Sequence, residues 1–418
     1  MSEQRWAILL GAVVLGGGLL WLVLGREPVE EGWCSLKPRA VGNPATNPLV
    51  TLAWQVLEPG LSRPNDISDL PNAFNQACYY RMRTGDTGLA LATDLSSTEK
   101  LSFDADRDGR LSDEQCFTPK SVELRPNVKR QRYGPIRLRC GPSDADGTVV
   151  FYAISPPVSQ PALLSLYPAF YRTGKLRIDG RVHKVAVMDG DYDGRFGSLI
   201  SLPASARLRL PGSDVFAIDI NRDGKFEASL YTRSNEVMPL SRMVRLGESY
   251  YAVDVSADGS RLALTKTQPA FGRLAIEPPD ARVQLKLWSD AADQFFSCDA
   301  GTWDLPAGTY QAINPVLSLP DPNRGLWVFR AIDAGKLSLF TIRPNETTRF
   351  RIGPPFTVTA GVRKNADGTV SISPVITGCE GEQYQADFER NGRRAPEREF
   401  KIVDEKGTVL IADNFEYG

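Results

Sequence analysis

The chain has 418 residues, 42% hydrophobic and 24% charged, enough to bury cores in about two to four domains and too apolar for wholesale disorder. Its 49 Lys and Arg balance 50 Asp and Glu, so no strong field favours a polyanion, and no nucleic-acid partner is expected. The single histidine, His183, excludes zinc sites and facial triads that need two.

Residues 1–5 read as a cytoplasmic tail and residues 6–25 as a transmembrane anchor. Trp6 to Leu24 carry no charge, and as a helix rising about 1.5 Å per residue they span roughly 28 Å, the hydrocarbon thickness of a bilayer. Arg5 and the terminal amine, partly offset by Glu3, precede this run while Arg26, Glu27, Glu30 and Glu31 follow it, a weakly N-terminal positive flank that favours a cytoplasmic N-terminus and an extracytoplasmic body. The run is long and no A-x-A site closes it, so a signal-anchor is expected rather than a cleaved signal peptide. The expectation is a single-pass protein that meets the membrane through this helix.

Residues 26–48, rich in Pro, Gly and charge, read as a linker. From 49 to 270, short runs alternate apolar with polar residues, the pattern of half-buried strands. Asp-Gly pairs, such as Asp258-Gly259 and Asp367-Gly368, mark hairpin turns between them. Residues 65–80 and 94–103 are the candidates for short helices. Six cysteines suit an oxidising exterior; they allow 15 connectivities, and Cys298 with Cys379 is the expected pair, buried thiols being the alternative.

The most specific chemistry within 49–270 is an acidic loop that occurs three times. Asp104, Asp106, Asp108 and Arg110 form the first; Asp189, Asp191, Asp193 and Arg195 the second; Asp219, Asn221, Asp223 and Lys225 the third. Each reads D-x-[DN]-x-D-G-x-apolar, ending at Leu111, Phe196 and Phe226. The first, third and fifth side chains turn oxygens toward one centre, Gly permits the turn, and the seventh residue offers its carbonyl. Oxygen donors without His or Cys select Ca²⁺ over transition metals. Asp113 or Glu114 could complete the first loop, Asp214 the second and Glu227 the third. Asp-Gly sequences also make ordinary turns without any metal.

These loops resemble the calcium loops of EF-hands and dockerins, and the resemblance implies Ca²⁺ as the bound ion. They depart from EF-hands at the twelfth position, where Gln115, Ile200 and Leu230 replace the bidentate Glu. Fewer fixed carboxylates imply an affinity of roughly 10⁻⁴ to 10⁻³ M, as in extracellular modules.

Two more units are expected, 271–352 and 353–418. The stretch Trp303 to Tyr310 reads as a tight corner feeding a strand. It resembles prealbumin-like and carboxypeptidase-regulatory-like β-sandwiches of bacterial envelope proteins, which implies modules that position or bind. The expected fold is therefore mainly β: an N-terminal transmembrane helix, then a multidomain β-rich ectodomain with C-terminal β-sandwich modules. The expected function is calcium-stabilised scaffolding or binding at the cell envelope, with an envelope protein or polysaccharide as partner. No catalytic residue is assigned. The alternative is a hydrolase of envelope polysaccharides that uses paired carboxylates.

Overall fold

The computed structural model describes residues 29–72, 74–84, 87–94, 100–125, 128–139, 148–155, 163–202, 212–227, 236–277, 281–299, 301–320, 325–364, 368–385, 388–394, 399–403 and 406–414. The expected anchor, 6–25, lies outside them; among the described residues no helix is long and apolar enough to cross a membrane. The protein is mainly β, built from several sheets, and the α-helix among the described residues is the short Val50–Ala53.

A five-stranded antiparallel sheet lies at the centre of the first part, in the order Val237–Pro239, Val215–Ile218, Arg181–Met188, Phe170–Ile178, Lys37–Ala40. In Arg181–Met188, Val185 and Val187 point to one core while Ala186 and Met188 point to another. Alternation thus serves two apolar faces, and Val215–Ile218 is buried at every position. On one face packs a four-stranded sheet that includes Ser249–Val255 and Arg261–Thr267 and contributes Tyr251, Leu262 and Leu264. Against the other face lie Leu49, Val50 and Leu52 from the short helix and its cap.

A second sandwich adjoins it. The five-stranded sheet containing Val128–Arg139 and Thr148–Ser155 faces the three-stranded sheet Ala77–Thr84, Thr87–Asp94, Leu101–Phe103. Tyr80, Met82, Leu89 and Leu91 meet Leu138, Phe151, Leu164 and Leu166 across their core.

Beyond residue 270 the strands form other sheets. Phe271–Glu277 pairs antiparallel with Thr302–Pro306 and parallel with Thr347–Arg351, while Arg282–Ser289 and Gly308–Pro320 belong to a ten-stranded sheet. The corner at 303–310 forms between Thr302–Pro306 and Gly308–Pro320, and the buried Tyr310 hydroxyl donates to the Pro306 carbonyl at 2.7 Å. Trp288, 1% exposed, reaches from this half into the core shared with Leu49 and Met188.

The structure corrects several expectations. The stretch 26–48 is not merely a linker, because Trp33–Ser35 and Lys37–Ala40 are strands in two sheets, with Cys34 and Leu36 turned into the core between them. Residues 65–80 do not form a helix among the described residues. Single turns close at Pro64 to Ile67 and Pro71 to Phe74, and the strand Ala77–Thr84 begins there. Leu101–Phe103 is likewise a strand. The expected boundary at 352/353 runs through one sheet, since Leu326–Asp333 pairs with Gln383–Tyr384. Cys379 is a free thiol, as are Cys34, Cys78 and Cys116, so the pairing with Cys298 does not form.

Candidate metal centre

The three acidic loops share one backbone conformation. The fourth residue has positive φ each time, 65° at Arg107, 62° at Tyr192 and 63° at Arg222, and Gly109, Gly194 and Gly224 follow at 80°, 76° and 85°. These glycines donate to the first aspartate at 3.3 Å (Asp104), 3.0 Å (Asp189) and 2.8 Å (Asp219). The fifth N–H donates to the side chain of Asp106, Asp191 or Asn221. The seventh, from Arg110, Arg195 or Lys225, donates to Asp108, Asp193 or Asp223. An extended strand that must reverse while keeping its N–H groups bonded explains this spacing of short acids around Gly.

A further carboxylate closes each loop. Glu114 accepts the N–H groups of Ala105 (2.5 Å) and Asp106 (3.1 Å). Asp214 accepts Gly190 on one oxygen (3.2 Å) and Gly197 (2.6 Å) and Ser198 (3.0 Å) on the other. Glu236 accepts Ile220 (2.9 Å) and Asn221 (3.1 Å), and its second oxygen accepts Glu227 (3.0 Å). Glu236 was not readable from the motif, because it follows the third loop at no fixed spacing. Glu227, the expected ligand there, is exposed.

The loops differ in what they bury. Among the described residues, three acidic side chains bring oxygens within 4.8 Å of one another in two places: Asp104, Asp106 and Asp108, and Asp189, Asp191 and Asp214. In the first set only Asp104 is buried; Asp108 and Asp106 face solvent. In the second all three are buried, Asp189 and Asp191 at 6% exposure and Asp214 at 1%. Asp193 is not part of that convergence and accepts from Arg195 N–H and the Ser198 hydroxyl. The third loop, with Asn221 in place of an acid, forms no such three-carboxylate cluster among the described residues.

Tyr192 fixes the second loop in place. Its hydroxyl donates to the Ala53 carbonyl at 2.7 Å, and its ring meets Phe151 edge-on at 5.8 Å. Gly190 allows the loop to reach Asp214, since a Cβ there would lie 2.3 Å from the Ser213 carbonyl oxygen.

Electrostatically this is the most stressed point of the loops. Burial, then the charges of Asp191 and Asp193, push the Asp189 carboxyl well above the usual carboxylate range. Burial, then Asp189 and Asp191, do the same to Asp214, and burial followed by Asp193 raises Asp191. Asp189 Oδ1 is buried and accepts no hydrogen bond. A buried carboxylate oxygen with no donor is costly unless a cation meets it or a proton is shared with the adjacent Asp191 carboxyl. The converging donors are all carboxylate oxygens, a set whose chemistry suits a hard divalent cation.

His183 takes no part in such a centre: its Nδ1 donates to the Asp219 carbonyl at 2.9 Å from a strand position. Two carboxylates, Asp304 and Glu346, line a cavity of about 540 Å³ in the C-terminal half. Both are ion-paired there, Asp304 with Arg273 at 3.1 Å and Glu346 with Arg343 at 3.7 Å. No protein-family model, no curated protein and no solved structure matches this chain.

Proposed function

We infer that the chain is a membrane-anchored extracytoplasmic β protein with a binding or scaffolding role, stiffened by Ca²⁺ at the second acidic loop. The observation that supports the cation site is Asp189 Oδ1, buried without a hydrogen-bond donor beside Asp191 and Asp214, while the anchor and the extracytoplasmic location rest on the uncharged run Trp6 to Leu24. A divalent cation there neutralises carboxylates that otherwise repel, and it clamps the loop at 189–196 to the start of Val215–Ile218 in the central sheet. Binding to the folded state alone stabilises by linkage, about 2.7 kcal/mol when the ion is at 100 times its Kd.

Weighing against polysaccharide hydrolysis, the convergent acids of the second loop are too buried for a polymer to reach. The test is thermal melting of the full chain in neutral detergent, with calcium and then with chelator. The expected result is a melting temperature higher by roughly 3 °C in calcium if the chain unfolds as one unit, and by more if the unit holding the loop unfolds alone. Coincident curves in saturating calcium and in chelator would defeat the proposal.

A further inference from the structure

The strand register gathers basic side chains at one corner of the central sheet, and that corner is hollow. Lys175 stands directly opposite Lys184 in the pair Phe170–Ile178 and Arg181–Met188. On the other side of Phe170–Ile178, Lys37 lies opposite Thr173 and Arg39 opposite Tyr171. Positions 171, 173 and 175 alternate onto one face, so the four basic residues share it. They line a cavity of about 500 Å³, with Trp33 on its wall and Glu30 as its one acidic lining residue.

Like charges opposite one another destabilise a sheet. Burial first, then the charge of Arg39 and more weakly that of Lys175, holds the Lys184 ammonium below the usual lysine range, partly offset by the Asp219 and Asp223 carboxylates of the third loop. Lys184 is positioned at the third loop: it donates to the Gly224 carbonyl at 2.8 Å and sits 4.5 Å over the Phe226 ring. One of its three donors is thereby used. Arg39 and Lys175 are exposed and form no ion pair among the described residues.

We propose that this cavity binds the phosphate group of a small anionic ligand. Its volume lies within the range of ligand pockets, roughly 300 to 1,000 Å³. A phosphate monoester carries about −1.5 to −2 charge near neutral pH and several acceptor oxygens, which suits a set of point-charge ammoniums. Arg39 adds a planar fork matched to phosphate oxygens. A carboxylate, with one negative charge, leaves more of the mutual repulsion in place. The site is independent of the cation centre at Asp189.

Binding is measured on the full chain in neutral detergent, with inorganic phosphate, glycerol 3-phosphate and detergent micelles doped with phosphatidylglycerol as probes at constant ionic strength. Wild type is expected to bind at least one probe, and the Arg39→Gln, Lys175→Gln double variant to bind it about tenfold more weakly or worse. Lys120→Gln, an exposed change on a different sheet, is expected to bind like wild type. A preference for the doped micelles assigns a lipid headgroup, and a preference for the soluble probes assigns a free phosphate compound; both support the site. Equal affinity of wild type and the double variant, or no response beyond that to chloride, overturns it. Unchanged calcium stabilisation in the double variant shows that it is folded and separates this outcome from failure of the cation centre.

Discussion

Asp189 and Asp214 present carboxylate oxygens within 4.8 Å of each other, from opposite ends of a chain segment, in a place almost closed to water. Asp214 is spanned by backbone donors on both oxygens, whereas one oxygen of Asp189 has none. That asymmetry singles out the second loop from two others of the same sequence pattern.

Asp189→Asn should act with opposite sign in the two metal conditions. Without calcium it replaces a carboxyl whose ionisation burial and the neighbouring aspartates disfavour, so the melting temperature should rise or hold. With calcium it removes a ligand, so the increment seen in wild type should vanish. Paired melting curves check this; a retained calcium increment would contradict it.

Gly190→Ala should weaken the cation response without altering any ligand. The added Cβ would meet the Ser213 carbonyl oxygen at 2.3 Å and push the loop away from Asp214. Gly224→Ala, where nothing lies within 4 Å, should pay only the positive-φ penalty of about 1–2 kcal/mol and leave the response intact. Denaturant unfolding with and without calcium separates the two.

Glu236→Gln tests the opposite role in the third loop. Glu236 Oε2 accepts the Glu227 N–H, and an amide nitrogen placed there, or an unbonded N–H, should destabilise by about 1–3 kcal/mol. The calcium increment should stay at the wild-type value. Loss of that increment would move the ion to the third loop.

The pH dependence of stability should carry a signature of Asp293. Burial raises its carboxyl to about 7, partly offset by the Lys286 charge, and Oδ1 accepts the Ser289 N–H at 3.0 Å. The folded state therefore keeps a proton that the unfolded state releases near pH 4, and stability falls as pH rises from about 4 to 7. Each pK unit is worth about 1.4 kcal/mol. Asp293→Asn preserves the acceptor and should flatten that fall; melting temperatures measured across the window would show an unchanged slope if Asp293 is not responsible.

The alternation in Arg181–Met188 and the turn at Asp258-Gly259 were legible because each follows from a local rule: side-chain period, or tolerance of positive φ. Trp33–Ser35 and Lys37–Ala40 were not, because Pro38 and flanking polar residues mask the two inward side chains, Cys34 and Leu36. The acidic motif located three loops of one geometry but could not rank them. Burial of Asp191 and Asp214 depends on Tyr192 and Gly190 fitting against distant chain, and Glu236 reaches its loop only through the fold. Tertiary packing, not spacing, decides which of three similar loops concentrates charge.

Calcium titration by calorimetry on the chelator-stripped full chain in detergent addresses the cation centre most directly. Wild type and Asp106→Asn should both show binding, and Asp214→Asn should show it weakened about tenfold or more. Titrations of wild type and Asp214→Asn that superimpose would contradict the assignment of the ion to Asp189, Asp191 and Asp214.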